Sequence, residues 1–443
     1  MSLKLQQSLD SGSYLQQIIK RNRDFHTGGV YAVCSAHPWV IDASIQQSID
    51  DDSVLHVEST SSQVNQEGGY TGQTPQQFAD FIHTTAQRSG ISSDRVLLGG
   101  DHLGPYPWRK EKSSIALKKA CQLVHACVLA GYRKIHLDAS MACADDDHGL
   151  VDESTIAQRA AILAEAAEKA FAGLAAGSAP LYVIGTEVPA PGGEVKPGEP
   201  PTVTTVDHVQ HTLEVFQSEF AKRGLSGAWE RVIGLVVQPG VEFGDDAVFD
   251  YDRTKVQTLT EKLPDHPALV YEAHSTDYQS PHALEQMVKD HFAILKVGPW
   301  LTFAFREAIF GLTAIERELF EGSKTIRLSQ VRDALENEML LNPNYWQSYY
   351  HGSTSQQRLS RAYSYSDRCR YYWHKKSVQR EIGQLLNNLS DKKLQPTLMS
   401  QFFPSEYEAI RSGILQASAK EVILFHIQTV LRIYASACNV KCE

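Results

Sequence analysis

Short apolar runs alternate with longer amphipathic segments over roughly the first 300 residues of the chain. The short runs are rich in β-branched residues, which predicts β-strands. The predicted strands are Gly29–Cys34, Ser53–Val57, Arg95–Leu98, Lys134–Leu137, Leu181–Ile184, Val232–Val237, Ala268–Tyr271 and Phe292–Leu295. In the longer segments, apolar residues recur at the spacing of a helix. The clearest predicted helices are Thr74–Ser89, Ser113–Ala130 and Ser154–Ala175, and Thr74 followed by Pro75 suits a helix start.

The order of these elements predicts the fold. Eight strands that alternate with helices match a (β/α)8 TIM barrel of the α/β class, with a doubly wound sheet as the alternative. Phe303–Phe320 fits the last barrel helix. From about Glu321 the strand pattern stops, and Glu421–Tyr434 has the pattern of an amphipathic helix. We therefore predict that residues 1–320 form the barrel and carry the site, and that residues 321–443 form a mostly helical region packed on it.

Composition and charge narrow the classes of function. Hydrophobic residues make up 42% and charged residues 21% of the chain, as in ordinary globular proteins. The net charge of −10 disfavours nucleic acid and anionic membranes as partners. The sequence has no bilayer-spanning apolar run, no signal-peptide core and no paired metal-ligand spacing among its seven cysteines. We therefore expect a cytoplasmic protein with reduced thiols, and the lack of a P-loop pattern disfavours nucleotide chemistry.

Polar residues follow the predicted strands at the end where barrel enzymes carry their active sites. The third strand leads through two glycines into Asp101 and His102. A neutral imidazole is the commonest side-chain metal ligand, and a neighbouring carboxylate is a candidate base. The pair therefore predicts metal or acid–base chemistry. The alternative is a helix-capping Asp beside a surface His.

A second group of polar residues follows the seventh strand. Alternation along a strand places Glu272 and His274 on one face. Both side chains could point into a barrel mouth, where His274 would complete a metal-binding pair with His102. Ser275 could donate to a phosphate. The alternative is a buried polar pair beside a helix cap.

Two acids lie around the end of the fifth strand. Glu187 follows the strand and could serve as an oxygen ligand for a metal. Glu194 lies in the Pro- and Gly-rich segment Glu187–Thr202, which is long enough to be an active-site lid. From there Glu194 could act as a general acid or base, or it could simply be a solvated surface carboxylate.

Further polar residues are candidates for contacts with a substrate. Asp138, after the fourth strand, could bind a sugar hydroxyl, a metal or the backbone. Lys296 and Gly298 follow the eighth strand, and we favour phosphate or hydroxyl contact over a Schiff base for the lysine. Gln63 and Asn65 precede a glycine-rich segment and could line the substrate site or serve only the turn.

Several longer motifs give the chain a specific resemblance. It resembles the tagatose-bisphosphate aldolase Z-subunit family (GatZ/KbaZ), and the similarity runs along most of the chain. The segments that carry it are Val33–Pro38, Gln63–Gly72, Gly99–Pro105, Lys134–Ala144, Ile184–Glu194, Val236–Phe243, Tyr271–Gln279, Ala293–Pro299 and Ser364–Trp373.

The resemblance implies roles for particular residues. The family is related to the class II, metal-dependent ketose-bisphosphate aldolases, which are (β/α)8 barrels. By this resemblance His102, Glu187 and His274 would bind a divalent metal, Zn²⁺. Asp101 and Glu194 would transfer protons.

One position departs from the pattern of such aldolases. They carry a further His ligand near the sixth strand, where this chain has Gln238, whose neutral oxygen is a weaker ligand. For the phosphate we expect Lys296 and Ser275 with Arg368 or Arg370, because arginine suits bidentate contacts with phosphate.

The resemblance implies a Z-type subunit of D-tagatose-1,6-bisphosphate aldolase in tagatose and galactitol metabolism, with aldol and retro-aldol chemistry at C3–C4. The alternatives are a stand-alone D-tagatose 6-phosphate 4-epimerase, which would form D-fructose 6-phosphate, and a non-catalytic stabilising subunit. A tagatose-6-phosphate kinase, another label used in this family, is disfavoured because no P-loop is present. The expected partners are a ketose phosphate and a catalytic aldolase subunit, and a homo-oligomer is left open.

Overall fold

The computed structural model of the chain describes residues 11–146, 151–174, 177–187, 201–263, 266, 268–390 and 394–439. Its strands are β1 (Val30–Val33), β2 (Leu55–Thr60), β3 (Val96–Leu103), β4 (Lys134–Leu137), β5 (Leu181–Ile184), β6 (Val232–Val236), β7 (Glu242–Phe243), β8 (Val248–Phe249), β9 (Val270–Ala273) and β10 (Ile294–Val297). Its helices up to the end of the barrel are α1 (Ser11–Phe25), α2 (Pro38–Asp50), α3 (Pro75–Arg88), α4 (Ser113–Leu129), α5 (Glu153–Ala172), α6 (Val206–Lys222), α7 (Ser226–Trp229), α8 (Arg253–Glu261), α9 (Pro281–Lys289) and α10 (Pro299–Phe320).

The later helices are α11 (Val331–Leu341), α12 (Thr354–Tyr363), α13 (Lys376–Leu389), α14 (Pro396–Phe402), α15 (Pro404–Arg411) and α16 (Ala419–Ala437). Short 3₁₀ turns lie at Ser93–Arg95, Tyr106–Trp108, Pro343–Tyr345 and Arg368–Tyr371.

Eight parallel strands close into a barrel in the order β1-β10-β9-β6-β5-β4-β3-β2. The predicted TIM barrel is therefore confirmed, and the doubly wound alternative is wrong. The predicted strands correspond one by one to the barrel strands, but β3 continues past Leu98 to Leu103. The antiparallel hairpin of β7 and β8 escaped prediction because each strand is only two residues long.

Helix starts and helix faces follow the sequence pattern. The Thr74 side chain accepts a hydrogen bond from the backbone N–H of Gln77, and the Gln77 side chain accepts one from the backbone N–H of Thr74, which fixes the start of α3. Along β4, Ile135 and Leu137 pack against the outer helices, whereas Lys134 and His136 belong to the barrel interior. The alternation of a strand therefore sends apolar groups outward and polar groups into the barrel.

Helix α1 covers the amino-terminal end of the barrel. Leu15 and Ile19 form one buried cluster with interior residues such as Leu97 and Val183. The Ser11 hydroxyl donates to the carbonyl of Val96 at the start of β3 (3.1 Å). Apolar packing fills this end, and the described cavity lined by polar residues lies at the carboxyl ends of the strands.

The helices after α10 form the extension. Helix α10 ends at Phe320, and the described elements after it are helical. Helix α16 packs against α2, α9 and α10, and the hydroxyl of its Tyr434 donates to the carbonyl of Thr276 (2.8 Å). A domain boundary at residue 320 stays a prediction. None of the helices in the described part of the chain is long and apolar enough to cross a membrane.

A charged contact anchors the extension and predicts a pH effect. His426 on α16 lies 2.7 Å from the buried Glu406 and 3.4 Å from Glu307 on α10. Burial alone would lower the pKa of His426, but hydrogen bonds to Glu307 and Glu406 raise it to about 9. A raised histidine pKa stabilises the fold fully below the unfolded value of about 6.5, and the contribution is lost as the pH rises through about 9.

We therefore expect the free energy of unfolding to fall between pH 6 and pH 10 more steeply in the wild type than in His426→Gln. The difference should be about 1–2 kcal/mol, because the partly exposed ring is screened by solvent. Urea unfolding of both proteins at the two pH values measures it. Parallel pH curves would contradict the assignment.

Candidate metal centre

A β-bulge aims two consecutive side chains into the mouth of the barrel. The register between β3 and β4 shifts between Gly100 and Leu103. His102 within this bulge has a φ of +49°, the left-handed region that non-glycine residues rarely occupy. Such bulges re-aim side chains next to active sites, and left-handed backbone at a non-glycine residue stores strain of about 1–3 kcal/mol. As a result Asp101 and His102, which would otherwise alternate, both line the same cavity.

Glycines make room for this arrangement. A Cβ atom on Gly99 would lie 2.7 Å from Cγ of Glu58, and one on Gly104 would lie 1.6 Å from the carbonyl oxygen of Asp138. A side chain at either position would clash, so Gly99 leaves room for the Glu58 side chain and Gly104 leaves room for the backbone of Asp138. The glycines around the Asp–His pair therefore serve close packing.

Three histidines converge at the carboxyl ends of the strands. The ring centroids of His102, His136 and His274 are 4.9–5.1 Å apart. One donor atom from each, together with a carboxylate oxygen of Asp101, lies within 4.8 Å of all the others. All four side chains are buried. Clustering of this kind brings together the ligand types of a divalent-metal site.

Carboxylates fix two of the rings. Nδ1 of His102 donates to Asp138 (2.8 Å), which leaves Nε2 of His102 for a ligand. Nε2 of His274 donates to Glu272 (3.0 Å), which leaves Nδ1 of His274. A carboxylate behind a histidine is the usual way in which proteins orient a metal-binding imidazole. Burial lowers the pKa of His274 to about 4, so its free nitrogen is unprotonated at neutral pH.

The third ring fits a metal for a different reason. Nδ1 of His136 lies 3.2 Å from Asp101 and 3.1 Å from the backbone nitrogen of His102. Nε2 of His136 is buried without a hydrogen-bond partner among the described residues. Buried polar atoms without a partner are rare and cost stability. Nδ1 of His136 faces Asp101, and the three imidazoles with this carboxylate offer the donor types of a divalent-cation site.

A layer of buried charges lies directly beneath the histidines. Nζ of Lys134 is 2.7 Å from Glu58 and 2.6 Å from Glu272, and these three side chains have no exposed surface. Lys296 contacts Glu58 and lies 2.9 Å from Asp101. Burial alone would raise the pKa of Glu58, but the two ammonium groups hold it well below its usual range. The layer therefore keeps its carboxylates ionised inside the barrel.

The histidine cluster opens into a cavity of about 80 Å³. A second cavity, of about 310 Å³, adjoins it. The residues that line both cavities are Cys34, Gln63, Tyr70, Gly298 and Arg370. Of the residues predicted from the sequence, those in the wall of the first cavity are Gln63, Asp101, His102, His274, Ser275, Lys296, Gly298 and Arg370.

Glu187 does not belong to the histidine cluster, and neither Glu187 nor Gln238 lines the cavity beside it. The Thr204 hydroxyl donates to the Glu187 carboxylate, and Gln238 accepts a hydrogen bond from the backbone of Gly240 (2.8 Å). Both side chains thus hold the backbone after β5 and β6, and their roles as ligands stay predictions. Glu194 and most of the predicted lid lie outside the described residues.

Three other residues that were predicted to contact a substrate make contacts within the protein and do not line the first cavity. The Asn65 side chain accepts from the backbone of Glu67 and Gly69 (2.9 and 3.0 Å) and so shapes the turn. Arg368 is buried, with its guanidinium 3.0 Å from the Tyr349 ring centre. Asp138 is the carboxylate behind His102. Of the two candidate arginines, only Arg370 lines the cavity.

The sequence interpretation assigned no role to His136. The signal was present, because alternation along β4 places Lys134 and His136 on one face. His136 lies inside a strand rather than after one, so a search restricted to strand ends passes over it.

Comparisons with known proteins agree with this architecture. The family model described as D-tagatose-1,6-bisphosphate aldolase subunit GatZ/KbaZ-like matches residues 15–439. The chain is similar to the crystal structure of a probable tagatose 6 phosphate kinase from Sinorhizobium meliloti 1021, with 41% identity and a TM-score of 0.84 over 93% of this chain and 100% of that one.

Two aldolase structures show weaker likeness. The YdjI aldolase from Escherichia coli K12 is 11% identical, with a TM-score of 0.43 over 88% of this chain and 100% of that one. The fructose-bisphosphate aldolase from Campylobacter jejuni is 12% identical, with a TM-score of 0.42 over 86% and 93%. TM-scores below 0.5 support no inference about this chain.

Proposed function

The chain belongs to the GatZ/KbaZ-like family, and from this premise we propose that it acts on a ketohexose phosphate at a divalent-metal site. The proposed activity is aldol cleavage and condensation at C3–C4, as a Z-type subunit of D-tagatose-1,6-bisphosphate aldolase with Zn²⁺. The observation that carries the proposal is the convergence of His102, His136 and His274 in one buried cluster. In a protein that served only as a scaffold, buried polar groups without partners would cost stability and bring no benefit.

The residues have distinct parts in this proposal. His102, His136 and His274 would hold the cation, which when bound polarises a carbonyl oxygen and stabilises developing negative charge. Asp138 and Glu272 keep two of these rings in the orientation that frees one nitrogen. For proton transfer the sequence predicts Asp101 or Glu194.

Charged groups around the cavity suit an anionic substrate. Arg370, at the boundary of the two cavities, could hold a phosphate by paired hydrogen bonds. Lys296 lies in the wall beside Asp101 and can donate to a substrate oxygen. Since the sequence lacks a P-loop, phosphate transfer from a nucleotide is not favoured, whatever the name of the similar structure suggests.

The test uses the purified protein alone and with an added catalytic aldolase subunit. D-tagatose 1,6-bisphosphate is assayed for triose phosphate, and D-tagatose 6-phosphate for D-fructose 6-phosphate. We expect metal-dependent cleavage that is lost in His102→Ala. Fructose 6-phosphate formed by the protein alone would favour the 4-epimerase. If the protein alone showed no turnover and bound no metal, but activated the added subunit, the non-catalytic stabilising role would remain. A cytoplasmic location stays a prediction.

A further inference from the structure

Asp277 is a buried carboxyl in the wall of the reactive cavity. Its Oδ1 accepts hydrogen bonds from the backbone N–H groups of Gly298 (3.0 Å) and Trp300 (2.8 Å), at the start of α10. These two bonds fix the carboxyl in position. Its Oδ2 makes no hydrogen bond with the described residues, although Asp277 is only 3% exposed. A fixed carboxyl thus presents one free oxygen to the cavity.

Asp101, the other described carboxyl in this wall, is differently placed. It lies 2.9 Å from Nζ of Lys296 and 3.2 Å from Nδ1 of His136. Asp101 is therefore held by charged and polar side chains, whereas Asp277 is held by two backbone N–H groups and keeps one oxygen free.

Arg370 lines the same cavity and interacts electrostatically with Asp277, as do the hydroxyls of Tyr278 and Tyr434. Burial raises the pKa of Asp277 to about 6. A group with a pKa near the working pH can both accept and return a proton.

We propose that Asp277 is a further catalytic residue, whose Oδ2 exchanges the proton of the substrate hydroxyl at C4. This inference rests on the proposed function. In cleavage, the O–H proton passes to Oδ2, the oxygen's electron pair forms the aldehyde C=O, and the C3–C4 bonding pair stays on the other fragment as an enediolate. In condensation the proton returns to the new hydroxyl. No oxidant or second reactant is required.

The test compares Asp277→Asn with Asp277→Ala. Asparagine keeps an oxygen that accepts from Gly298 and Trp300, but it cannot take up the proton. We expect kcat to fall at least about 100-fold in both variants. KM should stay within a few-fold, and the melting temperature should fall only in Asp277→Ala. Asp252→Asn is the matched control, because Asp252 also accepts a backbone N–H at a helix start, that of α8, outside the cavity.

Other outcomes overturn the proposal. If Asp277→Asn kept wild-type kcat while Asp277→Ala lost activity and stability together, Asp277 would be only a helix cap. If the wild type turned over neither sugar phosphate, alone or with the added subunit, the proposed function would fail and this inference with it. An active wild type with an equally active Asp277→Asn would remove this inference alone.

Discussion

Replacing His136 with alanine should lower the affinity for Zn²⁺ by more than about 100-fold and abolish turnover of the sugar phosphate. The reason is that catalytic zinc sites hold the ion with three protein ligands, and the His136→Ala variant would retain only His102 and His274. Loss of a group that merely supports a ligand already lowers affinity or activity about 10–100-fold. Metal content after dialysis and zinc titration against a competing chelator measure the effect.

Two control variants distinguish the three-histidine cluster seen in the structure from the set of metal ligands predicted from the sequence. His83→Ala removes a half-buried histidine of α3 and should leave zinc affinity unchanged. Glu187→Ala should also bind zinc normally, because the Glu187 carboxylate is held by Thr204 outside the cluster. If Glu187→Ala lost zinc as completely as His136→Ala, the three-histidine assignment would be incomplete. Circular dichroism establishes that each variant is folded.

Lys134→Met should lower the free energy of unfolding by about 3–5 kcal/mol, because it leaves buried carboxylates without their partner. Lys134 lies between Glu58 and Glu272, and none of the three has exposed surface. Methionine has a similar length and fills the space, so the loss would come from charge rather than from a cavity. Urea unfolding with a chelator present, so that no bound cation contributes, measures the difference.

Two comparisons make this prediction specific. Lys222→Met removes a largely exposed ammonium group from its pair with Glu219, and because that group is solvated the stability should change by no more than about 1 kcal/mol. Adding Glu272→Gln to Lys134→Met should recover part of the loss, because one of the uncompensated charges is then gone. A Lys134→Met protein as stable as Lys222→Met would show that water or structural relaxation compensates the buried acids.

Local patterns were sufficient for the barrel. Alternating apolar residues mark each strand, and the Thr74–Pro75 pair marks the start of α3, because both signals depend on neighbours in sequence. The predicted strand over Arg95–Leu98 stopped too early, since glycine usually weakens a strand. Here Gly99 is retained inside β3 because its missing side chain admits Glu58 from the neighbouring strand.

Local sequence patterns also predicted only part of the candidate site. Position at a strand end was enough to select Asp101, His102 and His274, which the structure brings into one cavity. It was not enough to choose between Arg368 and Arg370, which are two residues apart. Arg370 lines the cavity next to a turn in which Asp367 adopts a left-handed backbone and accepts a hydrogen bond from Thr302 on α10 (2.6 Å). That turn depends on contacts between distant parts of the chain.

The sequence by itself determined a (β/α)8 barrel that carries acids and histidines at the carboxyl ends of its strands, because periodicity and strand-end polarity are local properties. Only the tertiary structure decided which of these groups meet. The shift of register at Gly100 turns Asp101 and His102 together, closure of the barrel adds His136 from β4, and Glu187 bonds elsewhere. Strand register and competition among hydrogen-bond partners are settled across the whole barrel, and no short stretch of sequence contains them.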